Sequence, residues 1–259
     1  MIIYIHIPKC SGSSFKACFS HNFKDTFWDK RTLRSHVDTN LQYMLAKRKK
    51  IKIIPEVLAD HFPHGIHEIF DTDDYKYITI LRNPIERFIS NFYYLLLNEP
   101  DSLFIKTFRN NKNNIIKTLK QCICDHINNN QMVKQLSGFE PLLNIILSEN
   151  NKKDCVYYRG THANIHPYTD SDMKIIFLDA TKNIKKYSFI GFQENSNKDY
   201  KRFCKQFNLK YKETERIRHT DRNIFKIDWN NVKINNLVRE LNKYDMILYS
   251  CAKKIQETI

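Results

Sequence analysis

The chain has 259 residues, 42% hydrophobic and 13% aromatic, which excludes a disordered chain and is enough to bury one sizeable α/β core. Forty-two Lys and Arg against 28 Asp and Glu leave a formal net charge of +14, which suits a polyanionic donor, an acidic glycan or nucleic acid equally. No apolar run approaches the roughly 18 residues of a membrane span, and no basic region with an apolar core opens the chain as a signal peptide would.

The first element is a short apolar strand over 2–7. It runs into Lys9-Cys10-Ser11-Gly12-Ser13-Ser14-Phe15, a small-residue loop that opens a helix over 13–20. Such a loop points several backbone N–H groups at one place, and the helix start adds partial positive charge, so the pair makes an anion seat. Lys9 adds a full charge; Ser11, Ser13 and Ser14 add hydroxyl donors; Gly12 allows close backbone approach. In a nucleotide triphosphatase the P-loop reads Gly-Lys-Ser/Thr, whereas here the lysine precedes the glycine. An ordinary strand–turn–helix is the plain alternative for this segment, and His6 reads as a packed strand residue.

Lys47-Arg48-Lys49-Lys50 reads as a solvated face, with contact to an acidic glycan as the lesser alternative. An extended stretch over 51–60 leads into Asp60-His61-Phe62-Pro63-His64-Gly65-Ile66-His67, three histidines in a short span. A strand over 75–81 ends at Arg82. Asn83-Pro84 then makes a helix start, with asparagine as cap and proline in the first turn. Apolar residues at 85, 88, 89, 92, 95 and 96 extend that helix over 84–97 and carry Ser90 about two turns in. A strand-end guanidinium and a helix hydroxyl placed this way can share one phosphate, the arginine binding bidentately.

Residues 100–150 are polar and Asn-rich with helical stretches, and read as a variable insert. Lys174–Leu178 and Tyr187–Gly191 read as further strands. Over 235–256, Leu237, Leu241, Tyr244, Leu248, Cys251 and Ile255 form one helical stripe. No linker or repeat divides the chain, so one domain over 1–259 is expected. Alternating α and β elements imply an α/β fold with a mostly parallel central sheet flanked by helices and an anion site at the strands' carboxyl ends. Seven cysteines without paired CxxC motifs read as free thiols rather than a zinc site.

The loop at 9–15 and the Arg82/Ser90 pair, eight residues apart, resemble the sulfotransferases that use 3′-phosphoadenosine 5′-phosphosulfate (PAPS). The resemblance narrows toward glycan O-sulfotransferases, in particular the uronosyl (heparan sulfate-like) 2-O-sulfotransferases. Asp60–Ile69, Asn130-Gln131 with Leu136-Ser137-Gly138, Phe189–Glu194, Arg216–Arg222 and Asn242–Tyr249 look familial. It implies a P-loop-like PAPS-binding fold. It also implies that residues 9–15 hold the 5′-phosphosulfate, that Arg82 and Ser90 hold the 3′-phosphate, and that Arg218, Thr220 and Arg222 belong to a basic loop over the nucleotide. The family's catalytic histidine maps onto His61, with His64 and His67 as neighbouring alternatives. Cys10, Ser11 and Asn83 depart from the usual threonine, glycine and aspartate. Animal relatives carry a membrane anchor, for which a strand starting at residue 2 leaves no room, so a cytoplasmic form is expected.

The implied reaction is in-line sulfuryl transfer to a carbohydrate hydroxyl. It needs a base of near-neutral pKa, a cation at the leaving oxygen (Lys9) and a clamp on the 3′-phosphate. It requires no metal, and the expected partner is a glycan or polysaccharide, acidic ones included, rather than nucleic acid. Two rivals belong to other classes. A P-loop phosphotransferase needs lysine within GK[ST] and an acidic metal ligand after a strand, neither of which occurs in order. A non-catalytic basic protein would bind glycans or nucleic acid with steep salt dependence and no donor-specific stabilisation.

Overall fold

The computed structural model describes residues 1–35, 50–124, 130–138, 170–211 and 224–257. Its centre is a sheet of five parallel strands: β1 (Ile2–Ile5), β2 (Phe27–Trp28), β3 (Val57–Asp60), β4 (Lys76–Leu81) and β5 (Phe189–Phe192), in the order β2-β3-β1-β4-β5. With both faces covered by helices, the strands are almost continuously apolar, as buried parallel strands must be. Alternate residues serve opposite faces. Ile3 and Ile5 pack into one core with Leu58, Tyr77 and Leu81. Tyr4 packs into the other with Ala59, Ile78, Ile80 and Phe189.

Helices α1 (Gly12–Phe23), α2 (Lys30–Ser35), α3 (Pro84–Asn98), α4 (Leu103–Asn110), α5 (Ile115–Cys124), α6 (Gln131–Ser137), α7 (Asp170–Ile184), α8 (Ser196–Gln206), α9 (Val232–Leu241) and α10 (Lys243–Gln256) complete the described elements. The start of α3 follows its sequence signal: Asn83 Oδ1 accepts from the Ile85 and Glu86 amides at 3.0 and 3.3 Å, with Pro84 in the first turn. A third core, away from the sheet, gathers Phe88, Phe92, Phe104, Phe108, Leu119 and Val238 from α3, α4, α5 and α9. None of the described helices is long and apolar enough to cross a membrane.

Two expectations change, and two segments gain detail. Lys174–Leu178 is not a strand but the middle of α7. Met173, Ile176, Ala180 and Ile184 are its buried residues, a helical spacing that outweighs the local apolar run, and Asp170 and Asp172 favour the helix start. The 235–256 stripe is two helices broken at buried Asn242, whose Nδ2 donates to the Val238 carbonyl at 2.9 Å. Only 57–60 of the 51–60 stretch is strand, with a single bridge from Ile51 to Phe70. Within the expected insert, α4 and α5 join the third core, whereas α6 is buried throughout and lies in the main core.

Candidate active site

The register sets Ile5 beside both Asp60 and Thr79, so β1, β3 and β4 deliver their carboxyl ends to one corner, where an open α/β sheet binds ligands. His6 and His61 leave the sheet side by side, rings stacked 4.2 Å apart. His61 Nδ1 lies 2.6 Å from the His6 carbonyl oxygen. A carbonyl only accepts, so Nδ1 carries the proton and the lone pair falls on Nε2. Asp60 Oδ1 accepts the His61 amide at 2.7 Å, and Oδ2 accepts from Lys16 Nζ at 3.0 Å. Burial works to raise the Asp60 carboxyl, but Lys16, His61 and the bond from the His61 amide outweigh it and hold it below its ordinary value. Desolvation and its cationic neighbours hold His6 well below the usual histidine range, so it stays neutral beside His61.

The His6 ring also explains Gly12. A Cβ there would meet the imidazole at 1.9 Å, so the missing side chain makes room for His6 rather than for a ligand. The loop between them is bent by two left-handed residues, Lys9 at φ 68° and Ser11 at φ 60°. Arg82 stands over it, Nη1 donating to the Lys9 carbonyl at 3.2 Å and Nη2 pairing with Glu86 at 3.6 Å. The Lys9 ammonium lies 4.5 Å from the centre of the Tyr94 ring on α3, the helix that carries buried Ser90. Ser13 and Ser14 fall in the first turn of α1, which has no acidic residue to compete for an anion.

Two residues of the expected donor loop have buried side chains. Cys10 is fully buried, its amide donates to the Ile7 carbonyl, and burial pushes its thiol up to about 12, which suppresses the thiolate and its oxidation. Phe15 packs against Tyr4, Tyr200 and Phe203 and fastens α1 to the sheet and α8. Arg218, Thr220, Arg222 and Lys47–Lys49 lie outside the described residues.

His64 and His67 belong to a different environment, a cluster of Tyr75, Tyr77 and Tyr187 near the amino end of β4. The Tyr77 hydroxyl oxygen accepts the Gly65 and His67 amides at 2.9 and 3.3 Å, so its proton points to His67 Nδ1 at 2.8 Å. His67 therefore carries its proton on Nε2, the opposite tautomer to His61. Burial pushes His64 down to about 3 and His67 to about 4.

Sequence reasoning missed the residues that hold this corner. Arg87, fully buried, donates to Gln131 Oε1 at 2.6 Å, and its Nε is 4.0 Å from Asp245, whose carboxylate accepts the Met132 and Val133 amides at the start of α6. Desolvation lowers the neighbouring Lys134 to about 7. Glu194 accepts from the Asn83 amide at 2.5 Å and from the Tyr249 hydroxyl at 3.0 Å, tying β5 and α10 to the start of α3. Gln131, Glu194 and Asp245 fall within segments that look familial, a signal that reached the segment but not the residue.

His6, Asp60 and His61 bring ligand-type atoms within 4.8 Å of one another, the one such group among the described residues. Asp60 Oδ1 already accepts the His61 amide, Oδ2 accepts from the Lys16 ammonium, and His61 Nδ1 faces the His6 carbonyl.

A parallel sheet with a cationic loop at the carboxyl end of its central strand, a guanidinium over that loop and a histidine close by makes the class of α/β site that suits an anionic ligand. A scan of protein families gives the class its name: residues 1–250 match the sulfotransferase family, and the chain belongs to it. A search of curated proteins finds no match.

Proposed function

We propose that this sulfotransferase moves a sulfuryl group from PAPS to a hydroxyl of a carbohydrate acceptor by in-line displacement, with His61 as base. The observation that carries the reading is the 2.6 Å bond from His61 Nδ1 to the His6 carbonyl, which leaves the basic lone pair on Nε2 beside the donor loop. As the acceptor oxygen bonds to sulfur, its proton passes to Nε2 and the bond from sulfur to the bridging phosphate oxygen breaks. The new imidazolium keeps its bond to the His6 carbonyl and has the Asp60 carboxylate nearby. Lys9 offsets the charge growing on the leaving oxygen. Arg82 and Ser90 hold the 3′-phosphate, Ser11, Ser13 and Ser14 serve the phosphosulfate, and Arg218, Thr220 and Arg222 contribute to binding the nucleotide. The acceptor cleft lies toward the 100–150 segment, in one domain with the rest.

Labelled PAPS with a panel of glycans tests the reaction, and transfer to at least one is expected. The product nucleotide, 3′-phosphoadenosine 5′-phosphate, tests the clamp separately. At about 100-fold over its dissociation constant it contributes roughly 2.7 kcal/mol, on the order of 5–10 °C in melting temperature. An equal shift with AMP would remove the 3′-phosphate clamp and the reading with it.

A further inference from the structure

We propose that Gln135 is the positioning residue that sets the tautomer of His61, an inference that rests on His61 being the base of the reaction above. Gln135 is on buried α6 and only 5% exposed. Its Nε2 donates to the His6 carbonyl at 2.9 Å and to the Phe62 carbonyl at 3.0 Å, while its own backbone carbonyl accepts the His64 amide at 3.0 Å. One residue thereby grips the chain just after His61 and the very oxygen to which the His61 ring is bonded.

The orientation of the amide is unambiguous, because both neighbours of Nε2 are carbonyl oxygens and only the NH₂ end can face them. A carbonyl oxygen has two lone pairs. The Gln135 amide takes one from His6, and the other receives His61 Nδ1–H at 2.6 Å. With its direction fixed from behind, that oxygen enforces the tautomer that puts the lone pair on Nε2. The grip has a cost: Gln135 Oε1 is buried without a hydrogen-bond partner, a loss that a side chain selected for packing alone would avoid. Asp60 Oδ1 accepts the His61 amide and fixes its backbone, while the His61 ring meets the oxygen that Gln135 also holds.

Long-range proton–nitrogen spectra of the whole chain with ¹⁵N-labelled histidine report which ring nitrogen is protonated. In the wild type His61 should be the Nδ1–H form at neutral pH. Gln135→Met keeps the volume and removes the donor; its Nδ1–H share should fall and turnover should drop about ten- to a hundredfold, with PAPS affinity unchanged. Gln135→Asn, whose shorter amide cannot span both carbonyls, should shift the tautomer less. A wild-type His61 protonated on Nε2 overturns the proposal without any variant. So does a folded Gln135→Met protein with an unaltered His61 tautomer. A tautomer that shifts in a protein inactive on every acceptor leaves the positioning role standing and removes the proposed reaction instead.

Discussion

Within seven residues the chain carries three histidines, yet His61 and the pair His64/His67 live in two regions with opposite chemistry. His61 emerges at the carboxyl end of β3 against a carbonyl oxygen, which can only accept, so its outward nitrogen keeps a lone pair. His64 and His67 fold back among tyrosines. There a hydroxyl that receives two backbone amides gives its one proton to His67 Nδ1 and consumes the lone pair. Burial then holds both rings neutral. Being near in sequence settles nothing about a histidine's role; the kind of atom facing Nδ1 does.

The largest expected effect separates the two regions directly. His61→Ala should lower turnover by about 10²–10⁴-fold with PAPS binding unchanged, whereas His64→Gln and His67→Gln should turn over as the wild type. Loss of activity in either glutamine variant, with His61→Ala active, would reverse the assignment. Next, Arg82→Ala should weaken donor binding by on the order of 1.5–3 kcal/mol in calorimetry with a normal melting curve. Unchanged affinity would take Arg82 out of the site. Gly12→Ala drives a methyl into the His6 ring, and should cost about 1–3 kcal/mol in denaturant unfolding and reduce turnover together. A stable, fully active Gly12→Ala protein would show that the His6–His61 stack does not matter.

The smallest effect is on stability against pH. His64 and His67 titrate lower in the folded protein than at the unfolded value of roughly 6.5, so the unfolded chain binds their protons first. Their contribution is complete above about 6.5 and is lost as pH falls from there toward 4 and 3. Denaturant midpoints should decline over that range, and His64→Gln should make the decline shallower. An unaltered slope would mean that His64 is not held neutral by the fold.

Strands β1, β4 and β5 and the loop were legible because they depend on neighbours in sequence: an apolar run followed by small residues, and Asn83-Pro84 ahead of a helical stripe. The two-residue β2 is too short to show such a run. Arg82 over the loop could be expected from the same segments. What could not be read depends on contacts across the chain. Gln135 meets His6 from 129 positions away, and the familial residues around it mark the segment but not this side chain. Cys10 and Phe15 lie in the loop motif, but their side chains are buried in the core, which the loop pattern does not show. In α7 the four-residue apolar run at 175–178 imitates a strand, and only the fifteen-residue span shows the helical period. The break at Asn242 was hidden because the stripe continues in phase across it, while the asparagine side chain competes for a backbone carbonyl.

That break has a mechanical consequence. Before it, Ile234, Val238 and Leu241 anchor in the all-helical core; after it, Tyr244, Leu248 and Ala252 anchor in the core against the sheet. Asn242 is thus a joint between two plates, and Asp245, one helical turn on, reaches the start of α6 and so the clamp on the base. The helical part should melt together with the sheet in a single transition. A substitution that loosens Val238 should reach the reaction centre as slackness long before it unfolds the chain.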